Sequence, residues 1–344
     1  MKLLICTQKV DSEDPILGFF HEWIKEFAEH CEKLTIICLE KGESDLPENV
    51  QVLSLGKEEG INRFKYILRF YKYIWKYRQN YDAIFVHMNP KYICLGGIFW
   101  RIWRKKVSLW YMHRKVDLKL KFAEKLTNIV FSGTKESFKL KTKKLKVTGH
   151  GINLDKFLYE YKKLNKEKLC FINTGRLSSI KRVEDLIEFA KKVKDENIDF
   201  NFEIIGAFTD NKYEIKIKSL VQKYDLKENI NFVGVVSNQK INKYLREADI
   251  FIHCGETSSL DKAFLEAMAS GTFVFSNVES SRNILKENNL ELLTYNNLEE
   301  LVDNLNELLN LREEEQKAIS LKLREIVEKD HNLKKLIKKI IDNL

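Results

Sequence analysis

Residues 249–271 read Asp-Ile-Phe-Ile-His-Cys-Gly-Glu-Thr-Ser-Ser-Leu-Asp-Lys-Ala-Phe-Leu-Glu-Ala-Met-Ala-Ser-Gly. A short apolar run feeds a polar loop, and an amphipathic helix follows until Gly271 stops it. The same order appears at 173–187, Asn-Thr-Gly-Arg-Leu-Ser-Ser-Ile-Lys-Arg-Val-Glu-Asp-Leu-Ile, which follows the apolar run Leu169–Asn173. Strand, loop and helix in that order are the repeat of an α/β domain with a parallel sheet.

Working outward, the pattern holds along the chain. Apolar runs at Leu3–Cys6, Leu34–Leu39, Ala83–His87, Val107–Met112, Ile129–Ser132 and Leu145–Gly149 read as strands, with helical stretches at Phe19–Cys31 and Arg63–Arg78. A polar segment near 159–167 interrupts the pattern, and it restarts with Phe202–Gly206, Asn231–Val236, Asp249–His253 and Thr272–Ser276 as strands. Helices are read at Val183–Asp195, Gln239–Glu247 and Asp261–Ser270, and 299–344 is largely helical. The strands are continuous apolar runs, as suits a parallel sheet covered on both faces. The expectation is two α/β domains: 1–160, 161–325, and a terminal helix over 326–344 packing back towards the first. Ligands in such folds bind at the carboxyl ends of the strands.

The 344 residues carry a net charge of +9, unevenly spread. Residues 51–150 hold 23 Lys or Arg against 6 Asp or Glu, while 151–344 hold 31 against 33. The basic segment points to an anionic partner or to a lysine-rich solvated surface. The six cysteines form no Cys-x-x-Cys pair and sit mostly in apolar runs, as buried thiols of a reducing compartment do. Nothing supports a zinc site. No apolar run approaches the ~20 residues that span a bilayer, and the N-terminus reads as a first strand rather than a signal peptide.

Three clusters carry chemistry. Gly175 permits a tight turn, with Arg176 and Lys181 flanking it beside a helix start, and two cations there suit a diphosphate. Two ordinary solvated cations are the plain alternative. Glu266 sits amid apolar neighbours, and a buried carboxylate can accept two ribose hydroxyls; the alternative puts it on the exposed helix face. The loop 257–260 offers backbone N–H groups to phosphate or sugar oxygens.

These residues, together with Gly206, Phe232-Val-Gly-Val-Val-Ser237, Ala248-Asp249 and Leu265-Glu-Ala-Met-Ala-Ser-Gly271, resemble the group 1 (family 4) glycosyltransferases. Gly149-His-Gly-Ile-Asn-Leu-Asp-Lys-Phe157 and Ser132-Gly-Thr-Lys-Glu-Ser-Phe138 resemble segments before that family's linker. The resemblance implies a GT-B fold of two Rossmann-like domains facing across a cleft. It implies a retaining transfer from a UDP- or GDP-sugar to a glycan or lipid-linked acceptor, without metal or other cofactor. Arg176 and Lys181 would hold the diphosphate and stabilise the leaving group. Glu266 would hold the ribose. Gly175 would shape the turn, and Val235 and Val236 would face the base. Ser258, Ser259, Leu260 and Asp261 would line the donor, and His113 would contact the transferred sugar. Two departures stand out. Ser258 replaces the family's first motif glutamate, leaving Asp261 or Lys262 as candidates for its part. The loop 11–21 has the single Gly18 where the family has a glycine pair.

Residues 62–78 interleave Lys and Arg with Phe, Tyr and Trp at helical spacing, and Arg101-Ile-Trp-Arg-Lys-Lys106 forms a second basic cluster. The first reads either as a helix packed on a sheet with solvated cations or as an interfacial membrane helix. The expected setting is cytoplasmic, peripheral on the inner membrane face, in cell-surface polysaccharide or glycolipid synthesis. The rivals are a nucleotide-sugar epimerase of the same fold, an inactive nucleotide-binding homologue, and a polyanion binder using the basic segment.

Overall fold

The computed structural model describes residues 1–256 and 260–344. They fall into two compact units, 1–153 with 331–344, and 154–330. The compact units thus divide at 153/154 and 330/331, rather than near 160 and 325.

The first unit contains strands β1 (Lys2–Val10), β2 (Lys33–Lys41), β3 (Val50–Ser54), β4 (Ala83–His87), β5 (Lys106–Trp110), β6 (Ile129–Ser132) and β7 (Leu145–Val147). All pair in parallel, in the order β3-β2-β1-β4-β5-β6-β7. Central β1 is buried from Leu3 to Cys6, which is why its sequence is continuously apolar. Its helices are α1 (Phe19–Glu29), α2 (Arg63–Lys76), α3 (Lys91–Ile102) and α4 (Leu118–Leu126), with α12 (Leu333–Ile341) from the chain's end. Phe20, Trp23, Ile24 and Phe27 of α1 share one core with Leu336, Ile337 and Ile340 of α12. Phe70 and Ile74 of α2, Tyr92, Ile93 and Trp100 of α3 and Leu120 of α4 share a separate one. Each of α2, α4 and α12 begins at an Asn or Asp whose side chain accepts an N–H of the first turn. The terminal segment is tied in by Ile152 N–H to His331 O at 2.8 Å and Leu333 N–H to Ile152 O at 3.0 Å.

The second unit contains β8 (Leu169–Thr174), β9 (Phe200–Ile205), β10 (Ile230–Gly234), β11 (Ile250–His253) and β12 (Phe273–Ser276). They form a parallel sheet in the order β10-β9-β8-β11-β12. Its helices are α5 (Val183–Asp195), α6 (Asn211–Lys223), α7 (Ile241–Glu247), α8 (Lys262–Ser270), α9 (Glu279–Glu287), α10 (Leu298–Asn310) and α11 (Glu313–Asp330). Helix α8 is locked at its carboxyl end. Gly271 takes φ +87° there, where a Cβ would stand 2.7 Å from Glu160 O. From α11, Arg324 Nη1 donates to Ala269 O at 2.8 Å and Ser320 Oγ to Gly271 O at 2.9 Å.

Candidate functional site

In the second sheet the strand order reverses between β8 and β11. The crevice at the carboxyl ends of two such strands is where open α/β sheets bind ligands. Four strands end there in glycines of positive φ: Gly175 after β8, Gly206 after β9, Gly234 ending β10, Gly255 after β11. The closest approach is at Gly206, where a Cβ would lie 1.7 Å from Gly175 O. Only glycine allows those two turns to touch.

After Gly175 the chain runs past exposed Arg176, which has no hydrogen bond or ion pair with another described residue. A single 3₁₀ turn over Ser179–Lys181 leads to Arg182, which takes φ +48° and caps α5. Arg182 is held there by Asp185 in two bonds, Nε to Oδ2 at 2.6 Å and Nη2 to Oδ1 at 2.8 Å. The start of α5 differs from the bare anion site read from sequence. Val183 N–H donates to Tyr213 Oη at 3.0 Å, and Glu184 and Asp185 stand in the first turn. Those carboxylates already complement the positive end of the helix. Cationic attraction here therefore comes from the side chains Arg176 and Lys181.

Lys181 Nζ meets Asp261 Oδ2. Asp261 stands at the start of α8, and the same oxygen lies 3.0 Å from Nε2 of buried His253, the last residue of β11. Burial alone would raise the Asp261 carboxyl. The hydrogen bond and charge of His253, with the Lys181 ammonium, instead hold it well below the usual carboxylate range.

One turn into α8, Glu266 is buried at 8% exposure, so its exposed-face alternative fails. Lys262 precedes it by four residues on the same helix face. Burial pushes the Glu266 carboxyl up, while the charges of Lys262 and Lys156 pull it back down. Burial pushes the Lys262 ammonium down to about 7, against the pull of Glu266. Lys156 Nζ also meets Asn238 Oδ1. A carboxylate with two nearby ammoniums, set in a dry wall, can accept ligand hydroxyls without a large desolvation penalty on binding.

Leu260 is buried, Val235 is 59% exposed and Val236 is half-buried. Ser258 and Ser259 lie outside the described residues. His113 belongs to the first unit; it is exposed beyond the end of β5, with its ring edge-on to Tyr111 at 5.8 Å. The structure thus gathers Gly175, Lys181 and Asp261 at one switch point, with Glu266 one turn further along α8. Sequence reasoning passed over His253, Ser276 and Ser281. The only signal was a histidine at a strand's end. It also passed over the first unit's own switch point, between β1 and β4, where Thr7 Oγ1 lies 3.3 Å from His87 Nδ1 and Phe20 stacks on His87 at 4.0 Å.

A second surface lies on α2, α3 and α4. These helices carry ten Lys or Arg against one acid, Glu124. They also expose Phe64, Leu68 and Trp75 of α2, Ile98 and Ile102 of α3, and Leu118 of α4. Phe70 and Ile74 of α2 pack inward, as a helix packed on a sheet requires, while Phe64, Leu68 and Trp75 lie exposed. Among the described residues, no helix is long and apolar enough to cross a membrane.

Residues 157–324 match the family model described as glycosyl transferases group 1. A putative colanic acid biosynthesis glycosyltransferase, WcaL of Salmonella typhimurium, is 24% identical over 229 residues, 64% of this chain and 54% of that protein. The amylovoran biosynthesis glycosyltransferase AmsK of Erwinia amylovora is 29% identical over 153 residues, 43% of this chain and 37% of that one. The chain spans about half the length of the curated relatives it matches. Among solved structures, Anabaena HepE in complex with UDP-glucose superposes with a TM-score of 0.74 at 15% identity, covering 100% of both chains. WaaG, a glycosyltransferase of lipopolysaccharide biosynthesis, gives 0.69 at 13% identity, covering 99% of each. At such identities the likeness is one of fold, and that fold is the GT-B fold of two parallel α/β domains expected from sequence.

Proposed function

Residues 157–324 are a group 1 glycosyltransferase module, and on that premise we propose that the chain is a retaining glycosyltransferase using a nucleotide-sugar donor. The observation that carries this is the meeting of Lys181, Asp261 and the turn of Gly175 at the strand-order reversal, with buried Glu266 on the same helix as Asp261. Arg176 and Lys181 take the diphosphate. Glu266 accepts the ribose hydroxyls, Val235 and Val236 face the base, and Ser258, Ser259, Leu260 and Asp261 border the sugar. UDP is preferred to GDP, since HepE of the same fold is solved with UDP and UDP-glucose.

In the transfer, the bond from the sugar's anomeric carbon to the diphosphate oxygen breaks. The acceptor oxygen forms the new bond on the same face, and its proton passes to the departing phosphate oxygen. The two cations stabilise the charge that grows on the leaving group, the usual large term in such catalysis. That charge stabilisation needs no cofactor. His113 contacts the transferred sugar.

The acceptor is a glycan or lipid-linked precursor of a cell-surface polysaccharide or glycolipid, as the names of WcaL and AmsK support by analogy. The enzyme acts at the cytoplasmic membrane face, which the cationic, apolar surface of α2–α4 and 101–106 would meet. Serine at 258 favours one second reading, a homologue that binds nucleotide without turnover.

The test is thermal stabilisation by UDP, GDP and ADP. One nucleotide should raise the melting temperature, and Arg176→Ala and Glu266→Ala should abolish the shift. No shift with any of the three would sink the donor site. Incubation with donor sugars then separates the readings, because a binding homologue releases no nucleoside diphosphate.

A further inference from the structure

Five segments of the second unit, the 179–181 turn, β11, the start of α8, β12 and α9, are joined by one unbroken line of polar contacts. His253 Nδ1 lies 3.0 Å from Ser276 Oγ and 3.2 Å from Ser281 Oγ. Its Nε2 faces Asp261 Oδ2, and that oxygen meets Lys181 Nζ. The imidazole is also stacked on Phe264, with centroids 5.1 Å apart and planes 30° from parallel. Both ring edges and one ring face are therefore occupied, and the ring has one orientation. Ser276 Oγ also accepts Val278 N–H at 3.1 Å. The ionised Asp261 carboxylate can only accept, so Nε2 carries a proton and donates it to Oδ2.

Asp261 is unusual for its position. It caps α8, where an aspartate ordinarily accepts an N–H of the first turn. Its side chain makes no such bond. The carboxylate is turned instead towards Lys181 and His253, so its placement serves those groups rather than the helix.

The geometry points to Asp261 as a positioning residue for Lys181, itself held in place by His253. This rests on reading Lys181 as a donor-diphosphate cation. Before the donor arrives, the ammonium is fixed in direction but neutralised by its partner. Diphosphate oxygens compete with Asp261 for the same three protons. Asp261 therefore weakens ground-state binding of the nucleoside diphosphate while fixing how Lys181 meets the leaving oxygen. That favours the transition state over the ground state, the condition for raising kcat rather than affinity.

The experiment titrates UDP and GDP into the full chain and its Lys181→Ala, Asp261→Asn and His253→Gln variants by calorimetry. Turnover of the corresponding donor sugars is followed in parallel. Lys181→Ala should weaken the responding nucleotide at least about tenfold. Asp261→Asn should bind it at least about threefold more tightly, with kcat falling at least about tenfold and KM falling or unchanged. His253→Gln should move both quantities in the same directions by less. A merely structural Asp261 would instead lower affinity and kcat together. Should Asp261→Asn fail to fold, His253→Gln and Ser281→Ala carry the same comparison. Binding that weakens in Asp261→Asn as in Lys181→Ala overturns the inference, as does an unchanged kcat. A wild type that binds neither nucleotide overturns the donor-site reading beneath it.

Discussion

Replacing Gly206 by alanine tests the geometry on which the whole site rests. The new Cβ would stand 1.7 Å from Gly175 O and 2.9 Å from Gly175 C. A carbon rarely approaches a carbonyl oxygen closer than about 3.3 Å, so the two turns must part by more than an ångström. Two backbone bonds that join them are Gly175 N–H to Ile205 O at 2.9 Å and Leu177 N–H to Ala207 O at 2.9 Å. Losing both costs about 2 kcal/mol net, and more if the groups stay dry. Alanine at φ +145° adds about 1–3 kcal/mol of backbone strain. The expected loss is therefore about 3–5 kcal/mol. At about 2–4 °C per kcal/mol for a unit this large, the melting temperature should drop by roughly 10 °C. Gly234→Ala is the control. It shares the sheet and a positive φ of +81°, but no atom lies within 4 Å of its Cβ. It bears only the backbone term, about 1–2 kcal/mol. Urea unfolding followed by circular dichroism compares the two. If Gly206→Ala falls within about 1 kcal/mol of Gly234→Ala, the close contact of the two turns is wrong.

Three further outcomes follow from the charges. Asp261 titrates lower in the folded state than unfolded, so its stabilisation is present above about pH 4 and lost as pH falls below. Asp261→Asn should be less stable than wild type at pH 7, with the gap closing towards pH 3 in urea titrations; a gap independent of pH contradicts this. Lys262→Met removes a charge that lowers the Glu266 carboxyl, so that carboxyl should titrate higher, as read by carbon NMR of labelled glutamate; no movement would mean the two groups do not interact. On the α2–α4 surface, vesicles with anionic lipid should sediment the protein in low salt and neutral vesicles should not. Lys65→Glu with Lys72→Glu and Lys76→Glu should cut binding at least about tenfold, while Leu68→Ser with Ile102→Ser should also weaken it. Binding that ignores the apolar pair would reduce the surface to a general polyanion binder.

The parallel sheets were legible because their strands are buried on both faces, and continuous apolar runs such as Leu3–Cys6 and Ala83–His87 have few other uses. Several helices were not. The sequences Leu-Lys-Leu-Lys-Phe of α4 and Tyr-Glu-Ile-Lys-Ile-Lys of α6 alternate like a half-buried strand, yet both fold as helices. Helix α3 is apolar, and Gly96 and Gly97 inside it lower its helix propensity. They exist for packing: a Cβ on Gly96 would meet the Trp100 ring at 2.7 Å, and one on Gly97 would meet Leu126 at 2.9 Å. Close approach of another element is invisible in a local window. The same limit hid the contacts of His253. Its serine partners lie 23 and 28 residues away, and only the β11–β12 pairing brings Ser276 beside it.

Helix α8 shows how the site absorbs its departure from the family pattern. The family's first motif glutamate is a serine here, at 258, yet negative charge has not left the region. Asp261 supplies a carboxylate at the start of α8, and Lys262 brings a cation beside it. Each acid on this helix is matched within the second unit, Asp261 by Lys181 and His253, Glu266 by Lys262 and Lys156. Burying any one of these groups alone would be strongly unfavourable, and burying them as pairs is tolerable. A substitution that restored glutamate at 258 would add a negative charge three residues before Asp261 in the sequence. It should therefore be accepted best alongside Asp261→Gly, which removes the competing carboxylate. The double variant should bind nucleoside diphosphate at least as tightly as the single Ser258→Glu. The reverse order of affinities would show that the two acids do not share one role.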